Sequence, residues 1–391
     1  MIDSQPVRPP DRFLVFGAPA IGDEEIAEVV ASLKSGWLGT GPKVARFEAD
    51  FAAYERAPNA VAVSSCTAAL HLSMLTLGLK PGDEVITTAL TFAATVNAII
   101  HAGATPVLVD VDPVTMNIDP EAVRRAVSPH TRAVLPVHFA GRACAMVELL
   151  AICGEHRLAL IEDCAHAIET EYGGRHAGTF GSFGCFSFYV TKNVVTGEGG
   201  MVLAAREEDA ARIKVLALHG MSQDAWKRFS DEGYRHYYVT ECGYKNNMTD
   251  IQAALGIHQL ARVEENWRRR ERVWVRYQRE LAGLGLGLPA DPAAGTRHAY
   301  HLYTVLVDEE GCGIARDDFL SAMTANNIGV GVHYHAIPEH PYYQTRYGWL
   351  PSMWPQATAI GRRTVSLPIS PALSDDDVGD VIAAVRRVLQ A

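Results

Sequence analysis

Short apolar, β-branched runs recur along the first two thirds of the chain, at 61–65, 84–88, 105–111, 133–139, 159–163, 185–190 and 201–205. Between most of them the apolar positions change to helical spacing, as at 67–79, 92–101 and 144–156. Strands that read as nearly continuous apolar runs and alternate with helices predict a mainly parallel, seven-stranded α/β sheet covered on both faces. In such sheets ligands sit beyond the carboxyl ends of the strands. Asp163 and the turn at 64–67 both fall at strand ends. Past about residue 257 the texture changes. Leu260, Val263, Trp267, Trp274, Tyr277 and Leu281 recur at steps of three, four or seven, which predicts one helix with an apolar stripe. Its arginines 268–270 are expected on the solvated face. A Gly- and Pro-rich stretch at 283–292 breaks the pattern, short runs follow at 300–307 and 329–334, and 375–390 reads as a closing helix. The expected division is a large domain, 1–257, and a smaller C-terminal α+β domain, 258–391.

Composition narrows the class. The 391 residues, 48% hydrophobic and 20% charged, suit a soluble two-domain protein. A net charge of -10 argues against general nucleic-acid binding but not against an anionic ligand held by backbone amides. The seven cysteines include no CxxC pair and read as reduced thiols of a cytoplasmic protein. The first residues lack the basic and apolar regions of a signal peptide. The apolar stretch 89–109 is interrupted by Asn97, His101 and Pro106, so no membrane span is expected.

The candidate chemistry centres on Lys192, which an apolar segment, Ser187-Phe-Tyr-Val-Thr-Lys192, carries into a Gly-rich turn. A lysine at the edge of a core loses its proton more easily and becomes a nucleophile toward an aldehyde. Asp163 closes the apolar run Leu158-Ala-Leu-Ile-Glu-Asp163. A Schiff-base amine plus an aspartate at the mouth of a buried strand is what pyridoxal 5′-phosphate (PLP) requires. The blander reading of Asp163 is an N-cap for the residues that follow, and His166 either supports a ring or fills the turn. Ser64-Ser-Cys-Thr67 ends a strand and opens a helix, as a phosphate site or as an ordinary N-cap. Phe92 starts another helix and stacks on a ring or belongs to the core. Ser187 reaches a phosphate only if its segment curls back. His333-Tyr-His335 puts two imidazoles on one strand face without a third metal ligand.

The strings Ile161-Glu-Asp-Cys-Ala-His-Ala, Gly181-Ser-Phe-Gly-Cys-Phe-Ser-Phe and Thr191-Lys-Asn-Val-Val-Thr-Gly-Glu-Gly-Gly resemble the DegT/DnrJ/EryC1/StrS family, PLP-dependent nucleotide-sugar aminotransferases. Ser35-Gly-Trp-Leu-Gly-Thr-Gly, Ser65-Cys-Thr-Ala-Ala-Leu-His, Gly243-Tyr-Lys-Asn-Asn-Met-Thr-Asp and Ser366-Leu-Pro-Ile-Ser-Pro extend the likeness nearly end to end. The resemblance implies a fold type I, aspartate aminotransferase-like transferase. Lys192 would carry the cofactor as a Schiff base and shuttle the proton, and Asp163 would pair with the pyridine nitrogen. His166 would lie beside the ring and Phe92 would stack on it. Thr67, Ala68 and Ser187 would hold the phosphate. Asn247 would reach the phosphate of a neighbouring subunit, which makes a homodimer with active sites at the interface. Residues 37–40 and 333–335 would line the sugar-nucleotide pocket. Cys66 stands where glycine is common and Asn246 where an aromatic is frequent, which leaves the phosphate ligand open between Asn246 and Asn247.

Some relatives resembling this family are dehydratases with histidine in place of the lysine, so Lys192 favours amino transfer. The implied donor is L-glutamate and the acceptor a keto sugar on a nucleoside diphosphate, with the cofactor passing through its pyridoxamine 5′-phosphate (PMP) form. The segment His219-Gly-Met-Ser-Gln-Asp-Ala-Trp-Lys-Arg-Phe looks like the branch that acts at C4, giving 4-amino-4-deoxy or 4-amino-4,6-dideoxy sugars. C3 sugar, keto-inositol and amino-shikimate chemistry stay open, as does a diphosphate role for Lys227 and Arg228. A non-catalytic PLP regulator would need a DNA-binding appendage, for which the roughly 20 residues before the fold are too few. A purely structural dimer would leave Lys192, Asp163 and the Thr67 turn unexplained together.

Overall fold

The computed structural model describes residues 5–222 and 237–390. Its centre is a seven-stranded sheet made of β1 (Ala60–Val63), β2 (Glu84–Thr88), β3 (Thr105–Val109), β4 (Thr131–Leu135), β5 (Ala159–Asp163), β8 (Phe183–Ser187) and β9 (Gly200–Ala204). Two-residue strands β6 (Glu171–Tyr172) and β7 (Arg175–His176) lie between β5 and β8 in the chain. The sheet order is β1-β9-β8-β5-β4-β2-β3. Only β9 opposes the rest: it pairs antiparallel with both β1 and β8, while the other pairs are parallel. Helices at Cys66–Thr76, Ala93–His101 and Met146–His156 bridge successive strands, so both faces are covered and the strands are buried almost throughout.

Strands β4 and β8 stop short of their apolar runs: β4 ends at Leu135 where the run continues to 139, Val137 making a lone bridge to Asp163 before a 3-10 turn at Phe139–Gly141, and β8 ends early as well. Residues 185–190 read as one apolar run, yet the strand is Phe183–Ser187 and the chain then leaves the sheet. The departure builds the loop that holds Lys192. Below that loop Phe188 packs on Phe47 and Phe51 at 5.1 and 5.4 Å between ring centroids, and Phe186 on Phe51 at 5.0 Å. Such edge-on aromatic pairs contribute about 0.5–1.5 kcal/mol each beyond their area.

The predicted helix from 260 to 281 is two helices, Asp250–Ala261 and Val263–Glu280, broken at Arg262. Arg270 also departs from the expected solvated face. It is three residues after Trp267 and four before Trp274, so the 3.6-residue period turns it into the core, where it is 3% exposed and donates to the Ile369 carbonyl at 3.0 Å.

The C-terminal part contains β10 (Thr296–Arg297), which pairs with β6, and an antiparallel pair, β11 (Tyr303–Leu306) with β12 (Thr364–Leu367). Helices Arg316–Ala325 and Asp375–Gln390 pack on that pair. Residue 257 lies inside the Asp250–Ala261 helix, which packs against helices Asp23–Ser35 and Pro42–Glu55 of the large part. Leu14 bridges to Ile328 and joins the C-terminal core. We propose a division at Arg262, with residues 5–16 belonging to the smaller unit. Among the described residues no helix is long and apolar enough to cross a membrane.

Candidate active site

The site forms where β1, β9, β8 and β5 end. Val63 pairs with Gly200 and Gly200 with Ser187, so one register places the turn after β1 two strands from Ser187. A Cβ on Gly200 would stand 2.5 Å from the Ser65 carbonyl carbon and 2.7 Å from the Cys66 nitrogen. Only glycine lets the turn lie this close. Ser65 caps the Cys66–Thr76 helix and accepts the Ala68 N–H at 3.1 Å. The capping reading of this turn is thus realised, and the cap occupies the Ala68 amide expected at a phosphate. The Cys66 and Thr67 N–H groups, in the first turn, have no intrahelical acceptor and face outward at the positive end of the helix dipole.

Ser187 ends β8, is buried, and accepts the Tyr189 N–H at 3.4 Å. The chain then curls back: Phe188 donates to Gly199, Thr196 to Phe188 and Lys192 to Tyr189. Lys192 therefore sits at the tip of the connection between antiparallel β8 and β9. Its side chain is partly buried, and the surrounding protein pushes its pKa down to about 8, against the opposing pull of Cys66 and Asp163.

Asp163, the last residue of β5, is buried and pairs in parallel with Cys185 of β8. It accepts the Ala165 N–H at 3.1 Å and the Thr95 hydroxyl at 2.9 Å. The first of these is the cap-like bond considered from sequence, though the residues that follow form turns rather than a helix. Burial raises its pKa even though both donors, Lys192 and His138 oppose the rise. Cys66 Sγ lies 3.9 Å from the same carboxylate.

His166 accepts the Ala140 N–H on Nδ1 at 3.2 Å, and its Nε2 is 2.9 Å from Tyr334 Oη. Burial, then Lys192 and His333, push its pKa well below the ordinary histidine value. Behind it stands His301, ring centroids 4.4 Å apart, with Nδ1 2.9 Å from Asn193 Oδ1. Asn193 in turn donates to Glu169 at 2.8 and 3.0 Å and to the Ala299 carbonyl at 3.0 Å. Phe92 caps its helix with its ring 60% exposed and its centroid 5.8 Å from that of Tyr334.

Asn247 sits where the chain bridges back to Val63, and its amide donates to Thr40 Oγ1 at 2.7 Å. Segment 37–40 is thereby tied to the phosphate-side turn, with Trp37 donating to the Thr40 carbonyl at 3.2 Å. Among the described residues Asn246 bonds through its backbone, its carbonyl accepting from Ser64 and its N–H donating to Ala217. Lys227 and Arg228 lie outside the described residues. His333 spends Nδ1 on Ser366 Oγ at 2.9 Å, while His335 is exposed. A second group with metal-like spacing, His138, Glu162 and Cys164, has its valences taken by protein: His138 accepts the Cys144 N–H and meets Glu162, which also accepts from Gly178 and Gly181.

Sequence reasoning missed Thr95, Asn193 and His301. Thr95 stands three residues after Phe92, one helical turn on, and that spacing was the available signal. Asn193 and His301 meet only through the fold.

The residues present fit PLP. A desolvated amine, a buried carboxylate whose hydrogen-bond donors are neutral, a helix N-terminus with open N–H groups and an exposed aromatic ring match an aldehyde, a protonated pyridine, a phosphate and a ring face. Residues 19–386 match the DegT/DnrJ/EryC1/StrS aminotransferase family. The chain is 50% identical over 382 residues to the spore coat polysaccharide biosynthesis protein SpsC of Bacillus subtilis, covering 97% of this chain and 98% of that one. The putative sugar aminotransferase Spr1654 of Streptococcus pneumoniae, in its PLP form, superposes with a TM-score of 0.90 at 31% identity, over 97% of this chain and 99% of that one. The aminotransferase TlmJ of Streptoalloteichus hindustanus gives 0.88 at 34% identity over the same shares. This chain belongs to the DegT/DnrJ/EryC1/StrS family, fold type I sugar aminotransferases that depend on pyridoxal 5′-phosphate.

Proposed function

We propose that this protein moves an amino group from L-glutamate, by way of the PLP and PMP forms of its cofactor, to the keto carbon of a nucleoside diphosphate-linked sugar at C4. The single observation that carries the reading is that Lys192, an amine whose pKa is pushed down to about 8, and Asp163, a buried carboxylate, stand close enough for each to act on the other's charge. Names among the relatives support a sugar acceptor, since SpsC serves polysaccharide biosynthesis and Spr1654 is described as a sugar aminotransferase. When bound, PLP supplies an electron sink that stabilises negative charge on the carbon losing its proton. Lys192 Nζ would take up that proton and give it back, a role that its lowered pKa suits near neutrality. Asp163 keeps the pyridine nitrogen protonated. His166 would lie beside the ring, and Phe92 would cover a ring face and exclude water from it. Thr67 and Ser187 would hold the phosphate, with Ser65 keeping the Ala68 amide that would otherwise join them, and Asn247 would reach the phosphate of the neighbouring subunit.

A homodimer is part of this reading. Ile26, Val30 and Leu33 recur at helical spacing on helix Asp23–Ser35 and are 55%, 39% and 54% exposed, an apolar stripe that a second copy would cover. The test is a panel of nucleotide-linked keto sugars assayed for glutamate-dependent release of 2-oxoglutarate. Turnover of 4-keto substrates is expected. Turnover of 3-keto substrates alone would move the reaction to C3, and turnover of none would remove the sugar nucleotide.

A further inference from the structure

Hydrogen-bond polarity around His166 fixes where one proton must point. The Ala140 N–H is a donor by construction, so the His166 Nδ1 that receives it at 3.2 Å carries a lone pair. A neutral imidazole bare at Nδ1 is protonated at Nε2, and Nε2 lies 2.9 Å from Tyr334 Oη. The Tyr334 oxygen is therefore the acceptor in that contact, and its own hydrogen is left for something else. Among the described residues Tyr334 Oη has no second hydrogen-bond partner. Its ring is only partly buried, lies nearly parallel to His166 at 18° and stands next to the exposed ring of Phe92. Burial, with the charge of Asp163 nearby, keeps the phenol protonated.

We propose that Tyr334 is a ligand-binding donor of this site, giving its hydroxyl hydrogen to an electron-rich oxygen that occupies the cleft: the phenolic oxygen on C3 of PLP, or a carbonyl or hydroxyl oxygen of the sugar. The inference rests on the placement of PLP between Lys192 and Asp163. His166 acts as the positioning residue, since the backbone of residue 140 sets its tautomer and the tautomer sets the direction of the tyrosine hydrogen. A histidine protonated on both nitrogens could not accept the Ala140 N–H, so the arrangement holds only for neutral His166.

Tyr334→Phe removes one oxygen and keeps the ring packing, and its melting temperature in the apo form reports whether the fold survives. Holoenzyme without substrate is titrated by its visible absorbance. If the acceptor is the cofactor's phenolic oxygen, losing the donor leaves more negative charge to hold the proton on the Lys192 nitrogen. The midpoint then rises by about one pH unit, the scale of one charge-assisted hydrogen bond. If the acceptor is on the sugar, the midpoint stays and KM for the keto sugar rises about tenfold, while KM for glutamate does not change. A folded variant with neither change overturns the proposal. So does a 15N spectrum of the apoprotein showing His166 protonated on Nδ1. Failure of the wild-type protein to show a borohydride-sensitive visible band would instead refute the Lys192 placement, a separate result.

Discussion

At the scale of single residues, Asp163 and Lys192 are opposite charges that the protein desolvates together. Burial raises one pKa and lowers the other, so neither partner fully stabilises its neighbour in the absence of a third group. A protonated pyridine placed against Asp163 resolves this, and the value of that contact can be measured. Asp163→Asn keeps the shape and the Thr95 contact but removes the negative charge. A hydrogen bond to a charged group contributes about 1.5–3 kcal/mol, so kcat should fall roughly tenfold to hundredfold. Spectrophotometric titration with PLP should show weaker binding in parallel. Unchanged kcat and affinity would detach Asp163 from the ring nitrogen. Both residues were legible in the sequence because each ends an apolar run, an unusual place for a charge. Asn193 was not, because a short polar side chain on a loop carries no mark of the partner it will meet, and Thr95 was marked only by its place one helical turn after Phe92.

At the scale of elements, the alternation of apolar runs and helical spacing was enough to find the seven strands and the helices between them, since burial on both faces leaves a strong pattern. The pattern fails where an apolar segment is buried outside the sheet. Residues 188–190 look like strand but belong to the Lys192 loop, where Phe188 is anchored on the phenylalanines beneath it and Phe188 and Tyr189 bridge back to Gly199 and Gly197. The break at Arg262 was hidden because the apolar stripe continues through it. Close approach of elements is equally invisible from one sequence. Gly200 makes its case only with coordinates, since an added Cβ would meet backbone of Ser65 and Cys66, which cannot rotate away. Gly200→Ala should therefore cost about 1–3 kcal/mol, the usual range for overpacking. It should also push the Thr67 turn away from Ser187 and weaken PLP binding. A melting temperature and PLP affinity equal to wild type would show that β9 can shift without disturbing the turn.

At the scale of the whole molecule, the Asn193 network joins the large sheet to the C-terminal part, through Glu169 on one side and Ala299 and Arg270 on the other. Burial pushes the Glu169 carboxyl up to about 7, despite Arg270 and Asn193. Between pH 4.5 and 7 the unfolded chain has released this proton and the folded one has not. The unfolded state then binds fewer protons, so this group's contribution to stability is full below 4.5 and declines as pH rises to about 7. Thermal melts of the apoprotein should show that decline, and Glu169→Gln should flatten it by an amount on the order of 3 kcal/mol. An identical pH slope in the variant would mean that Glu169 is ionised throughout. The proposed homodimer is open to a sharper test, because it would assign its two subunits different duties at each site. A chain carrying Lys192→Ala lacks the amine, and one carrying Asn247→Ala lacks the phosphate contact it would lend its neighbour. Each homodimer should be impaired, the first without turnover and the second with weakened PLP affinity. Refolded together, half of the dimers are mixed, and each mixed dimer has one site with Lys192 from one chain and Asn247 from the other. Activity at limiting PLP should then return to about a quarter of wild type, as the symmetry of an isologous pair requires. If mixing restores nothing while both variants remain dimeric by sedimentation, Asn247 serves its own chain, where its amide already meets Thr40.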